Sequence, residues 1–173
     1  MRRAPAETLS LTITHRLSSF SSKEDDLMEY LAVVRRDGDA WTIEFPDCHG
    51  CVSVADSEDD VLRNATEALD GWLEAMMQTG RVVPAPKGRK RAPSGAKIVS
   101  VRVRAPLAVA ISLRWARAKR GYTQAEVARR AGVSQAQIAK LETSSENPTV
   151  ATLSKVAQAL GARLEAQVVL NRS

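Results

Sequence analysis

The densest run of side chains able to bind a metal or act as a nucleophile is Asp47-Cys48-His49-Gly50-Cys51. Four donors within five residues are too crowded to wrap a tetrahedral ion, and the chain holds no second Cys/His cluster to complete a site. A thiol or hydroxyl nucleophile needs a base. No histidine follows this run, and the other histidine, His15, lies far upstream. A metal-dependent nuclease would need several converging carboxylates, whereas Glu44, Asp47 and Asp56 are scattered over short segments. The pattern therefore predicts a turn holding small buried thiols, with no catalytic residue, no metal site and no cofactor.

Two other groups of residues point to binding rather than catalysis. Asp59, Arg63, Glu67, Asp70 and Glu74 recur at spacings of three and four, which places them on one outward helical face. Such a face is either simply solvated or a docking surface for a basic protein, with Asp59, Glu67, Asp70 and Glu74 as its contacts. The second group is Thr123-Gln124-Ala125-Glu126, Ala128, Gly132, Ser134, Ile138 and Leu141. It combines two helix starts, a small residue where helices must approach and a glycine at the turn between them, which is a helix-turn-helix. On that unit Gln124, Arg129 and Arg130 face DNA phosphates, Ser134 caps the second helix, and Gln135, Ala136, Gln137 and Lys140 face base edges.

Charge separates the two groups. Residues 1–80 carry 7 Lys+Arg against 16 Asp+Glu, while residues 81–173 carry 18 against 4, so a net charge of +5 conceals an acidic half and a basic half. Two surfaces for two different partners follow. At 173 residues the chain has room for one domain or two small ones. No apolar run approaches the ~18 residues of a membrane span and no secretory core opens the chain, so the expectation is a cytoplasmic protein without a membrane partner. Two cysteines three positions apart suit a reducing compartment.

The elements that must position these residues divide into three segments. Residues 1–27 are Ser/Thr-rich, stop at Glu24-Asp25-Asp26 and read as a disordered leader, although Leu9, Leu11 and Ile13 alternate as in a strand. Residues 28–105 form the first domain, which begins in the acidic half and includes the basic tether. A strand over Tyr30–Arg36, a turn at Asp37-Gly38, a strand through Trp41, Ile43 and Phe45, and a short run from Cys51 to Val54 come first. A helix capped by Ser57 and Asp60 follows, its apolar face made of Val61, Leu62, Ala65, Leu69, Trp72, Leu73 and Met76 and its end marked by Gly80. Beyond the basic, proline-rich tether of residues 84–97, a strand returns with Val99, Val101 and Val103 on one side. Residues 106–173 form the helix-turn-helix domain, flanked by helices over Leu107–Lys119 and Thr149–Leu160 and closed by a strand over Leu164–Leu170. The fold class is α+β: a small β-β-β-α-β domain, then an all-α helix-turn-helix domain with a C-terminal strand. The unpaired edge of that strand offers a place for a second subunit, and a homodimer or higher homo-oligomer suits operator binding.

The acidic half, with Trp41, Phe45-Pro46-Asp47, Gly50-Cys51, Asn64-Ala65 and Pro84/Pro86, resembles the HicB antitoxin family, and the basic half resembles the Xre-like helix-turn-helix of one branch of it. The resemblance implies a degenerate RNase H-like first domain without nuclease activity that masks a HicA-type, RNA-cleaving toxin. It also implies a second domain that binds operator DNA of its own promoter. Trp41 stands where the family usually has Tyr, and the leader is extra. The competing reading is a stand-alone Xre-type transcriptional regulator whose acidic domain oligomerises or senses a ligand.

Overall fold

The computed structural model describes residues 8–12, 28–88, 91–143 and 147–169. It contains two compact units: one is formed by Leu27–Leu107, the other by the chain from Ala108 onward together with an N-terminal strand.

In the first unit, β2 (Glu29–Asp37), β3 (Ala40–Glu44), β4 (Val52–Ala55) and β5 (Ala96–Arg102) form an antiparallel sheet in the order β4-β3-β2-β5. Residues paired across an antiparallel ladder share a face. Tyr30 pairs with Val101, and Val34 with Ile43. These four and Ala32 are nearly inaccessible, so one face of the sheet is core. The β2–β3 loop is Gly38-Asp39, one position later than the Asp37-Gly38 turn read from the sequence. Asp37 still pairs with Ala40, and Gly38 takes a left-handed φ of 62°.

Helix α1 (Val61–Gln78) packs against β3, β4 and β5. It buries Val61, Ala65, Leu69, Leu73 and Met77, one i, i+4 ridge of its surface. Each large side chain so buried contributes roughly 2 kcal/mol. This ridge is narrower than the predicted face: Leu62 is 54% exposed, Trp72 and Met76 are half-buried, and Met77 is buried in place of Met76. The Ser57–Asp60 pair forms, with the Ser57 hydroxyl donating to Asp60 at 2.7 Å and accepting from the Asp60 N–H at 3.3 Å. It closes the turn before the helix rather than its first turn, because Asp60 is itself the N-cap and its side chain bonds no helix N–H.

The chain leaves α1 through Gly80, whose φ of 73° lets Arg81 N–H reach back to the Met76 carbonyl at 3.0 Å. The exit strap is then fastened twice. The buried Tyr30 hydroxyl donates to the Pro84 carbonyl at 2.5 Å, and Lys87 N–H donates to Asp47 at 3.0 Å. Buried tyrosines need such a partner.

The second unit comprises α2 (Ala105–Arg120, whose first residues lie in the other unit), α3 (Gln124–Ala131), α4 (Gln135–Leu141), α5 (Val150–Ala159) and β6 (Glu165–Val169). Its core joins Val109, Leu113 and Ala116 to Val127, Ala128, Ile138, Leu141, Leu153, Val156 and Leu160. The leader departs from expectation. Thr8–Thr12 forms strand β1, antiparallel to β6 from Thr8↔Val169 to Thr12↔Glu165. Its alternating residues suit a strand, and β6 supplies the backbone partners, so one β6 edge foreseen as open to a second subunit is filled within the chain. The rest of the leader lies outside the described residues.

Candidate functional site

The helix-turn-helix is built by reciprocal caps. Thr123 accepts from Glu126 N–H while the Glu126 carboxylate accepts from Thr123 N–H at 2.7 Å. Those bonds hold the Glu126 carboxyl below its usual range, helped by Arg130 and Arg129. Gly132, at φ 65°, ends α3 in the left-handed conformation and turns the chain into α4. Ser134 then caps α4: its hydroxyl accepts from Gln137 N–H at 3.1 Å, and Gln137 Oε1 accepts from Ser134 N–H at 3.0 Å.

These bonds define what each predicted reader has left to offer. Gln135, Ala136, Gln137 and Lys140 are exposed on α4, as a recognition surface requires. Because Ser134 N–H is a donor, the Gln137 atom it meets must be oxygen, so the capped amide presents only its Nε2 hydrogens outward. It can reach guanine or thymine acceptors but cannot bond adenine bidentately. Arg129 and Arg130 are exposed, and the Arg130 guanidinium stacks 4.3 Å over the Tyr122 ring, which orients it. Gln124 is half-buried, and its Nε2 donates to Glu142 at 3.0 Å.

Glu142 was not singled out by sequence reasoning. Its side chain is 5% exposed and is gripped in a fork by Arg117, which donates through Nε and through Nη2 at 2.8 Å. Arg117 also donates to the Tyr122 carbonyl at 3.0 Å. The bridge ties α2 to the end of α4. The only sequence signal was a lone Glu following Leu141 at the close of a helix.

The acidic helix requires a correction. Asp59 and Glu67 are exposed, but Asp70 is 6% exposed and faces inward. It accepts from Arg104 Nε at 2.5 Å, and Arg104 also donates to the half-buried Glu74. Burial raises the Asp70 carboxyl above its ordinary range, with Arg104 opposing, and Oδ1 has no partner among the described residues. Asp70 is thus an internal anchor for the end of β5. The buried i, i+4 ridge advances ~40° around the helix at each step, so by Leu73 and Met77 it has reached the side on which Asp70 lies.

The cysteine run forms two successive turns, with Cys48 N–H on the Phe45 carbonyl at 2.9 Å and Cys51 N–H on the Cys48 carbonyl at 2.8 Å. Gly50 supplies a φ of 83° in the second. Both thiols are free and buried, which pushes Cys48 up to about 12 and Cys51 up to about 11. They are poor nucleophiles. Asp47 caps the exit strap, Glu44 lies 3.9 Å from Arg35, and Asp56 is exposed. Among the described residues no three His, Cys, Asp or Glu side chains group as a metal site, and no helix is long and apolar enough to cross a membrane.

Two family models match the chain: HicB_like antitoxin of bacterial toxin-antitoxin system over residues 30–93, and Helix-turn-helix over residues 113–166. The uncharacterized HTH-type transcriptional regulator y4dJ of Sinorhizobium fredii (strain NBRC 101917 / NGR234) is 51% identical over 45 residues. That match covers 26% of this chain and 58% of the regulator's length. Among solved structures, the HicA3 and HicB3 toxin-antitoxin complex is similar at 25% identity and a TM-score of 0.36, over 44% of this chain and 98% of that one. The N-terminal domain of Burkholderia pseudomallei antitoxin HicB is similar at 24% identity and a TM-score of 0.34, with the same coverages.

Proposed function

We propose that this chain, which carries a HicB-like antitoxin domain followed by a helix-turn-helix DNA-binding domain, is the antitoxin of a type II toxin-antitoxin system. Its first domain binds and neutralises a HicA-type mRNA-cleaving toxin, and its second represses the operon's own promoter as a homodimer or higher homo-oligomer. The observation that carries the reading is the pair of family-model matches, one on each unit, with charge in support. The antitoxin match covers 30–93, which lies mostly in the acidic half, and the helix-turn-helix match falls within the basic one. A protein that cleaves RNA must attract a polyanion and is therefore basic, so the acids of residues 29–80, 12 Asp+Glu against 3 Lys+Arg, suit it both in affinity and in speed of encounter. The surplus of cations on the other half suits DNA, whose affinity rises with each phosphate neutralised.

The domain does this without chemistry of its own: its thiols are buried and its carboxylates are dispersed or bonded within the fold. The stand-alone regulator remains the rival, favoured by the regulator relative that aligns over 45 residues. Co-expression with a small basic reading frame adjoining the gene decides between them. Growth rescue and co-purification are expected of an antitoxin, and their failure leaves the regulator. For the DNA half, Lys140→Ala should weaken operator binding by ~1–3 kcal/mol while sparing random DNA. An equal loss on both would place Lys140 on phosphate.

A further inference from the structure

We propose that the toxin docks on the edge strand β4, laying a basic segment with apolar side chains against Val52 and Val54, rather than on the outer face of α1. This deepens the antitoxin reading and rests on it. Strand β4 ends the sheet, hydrogen-bonded to β3 alone among its strands. On the side away from α1 it carries Val52 and Val54, 66% and 54% exposed, two of the five large apolar side chains left open among the described residues. Near the start of α1, Asn64 donates to the Val54 carbonyl at 2.8 Å. That bond marks the outward row of β4. By the alternation of an antiparallel ladder, Val52 turns its own N–H and C=O to the same open side. An incoming strand can therefore add at Val52, with Asn64 bounding its reach.

Charge selects the occupant. Asp56 and Asp59 are exposed where β4 runs on toward α1, while Glu44, in register with Val52, is already paired with Arg35. A basic segment would find the Asp56 and Asp59 end complementary. The α1 face has lost its claim in proportion: Asp70 is internal and Glu74 is already paired with Arg104.

The test measures binding of the full chain to the purified product of the adjoining basic reading frame, made inactive as a toxin. Val52→Lys/Val54→Lys should lower affinity by roughly a hundredfold, the loss expected when charge is forced into the apolar centre of a contact. Val52→Thr/Val54→Thr, which keeps the branched shape that strands favour, should lower it by roughly tenfold. Glu67→Lys should change it by less than about threefold, as a rim charge does. Unaltered operator binding and melting show that the variants fold. Affinity within threefold of wild type for both valine pairs, or a loss of dimer mass with toxin binding unchanged, overturns the edge site and spares the antitoxin reading. Failure of the wild-type chain to bind overturns both.

Discussion

Replacing Glu142 by Ala is the most demanding test of how the helix-turn-helix is held. The carboxylate is 5% exposed, and it receives two bonds from Arg117 and one from Gln124. Removing it strands a guanidinium that is only 19% exposed. Loss of one partner of a buried pair costs about 3–5 kcal/mol. Arg117 keeps the Tyr122 carbonyl and a little water, which places the loss near the bottom of that range, at ~3 kcal/mol. A domain at the low end of ~5–15 kcal/mol then keeps only ~2, so operator binding is expected to fail at a lower temperature, through unfolding rather than through a lost contact. Urea titration followed by Trp115 fluorescence, in a Trp41→Phe/Trp72→Phe background, should show the midpoint falling by roughly 2 M for this unit. The paired change Arg117→Met/Glu142→Leu should recover most of the loss, because well-packed apolar side chains replace such pairs at little cost. A single variant within about 1 kcal/mol of wild type, or a double variant no better than the single, would refute the assignment.

Four further outcomes are expected. Gln137→Glu keeps the oxygen that caps Ser134 but removes the Nε2 donors, so calorimetry should show an unchanged or higher Tm while gel-shift affinity for the operator drops at least roughly tenfold. Gly132→Ala, with nothing within 4 Å of the added carbon, should cost only the left-handed backbone, ~1–2 kcal/mol. Gly161→Ala should lower the Tm further, because Arg120 Nη2 lies 2.5 Å from the new carbon and must leave the Leu160 carbonyl that Arg120 caps at 3.0 Å; adding Arg120→Ala should remove the excess. For Asp70 the folded pKa lies above 3.8, so the unfolded chain ionises first and this group's contribution to stability is lost as pH climbs through the raised folded value. Asp70→Asn should therefore gain on wild type as pH rises above 3.8 in urea titrations, and parallel curves would contradict the shift.

Periodicity made the strands, α1 and the four helices of the second unit legible, because a repeat of two or of 3.6 residues reports which side chains must leave water. Caps were legible for the same local reason: Thr123–Glu126 and Ser134–Gln137 need only three residues to specify them. What stayed hidden was set by distant partners. Asp70 reads as one more exposed acid until Arg104, 34 residues away, turns it inward. Glu142 looks like a surface residue until Arg117 closes on it from 25 positions upstream. Strand β1 was visible as an alternation of Leu9 and Leu11, but only its pairing with β6 at the far end of the chain makes it a strand. The same limit applies to the proposed readers of DNA: the sequence names Gln137, and only the cap shows which half of its amide faces outward.

The basic stretch that divides the charges is not the joint between the two units. Lys87 is pinned to Asp47, and the chain beyond it returns as β5, seven residues in register with β2, before running on into α2. A protease that clips after Arg91 should therefore open a loop inside the first unit without freeing the second. Its two fragments should part in detergent yet travel together through a sizing column. Only a cut beyond Arg102, where the ladder has ended, should release the second unit.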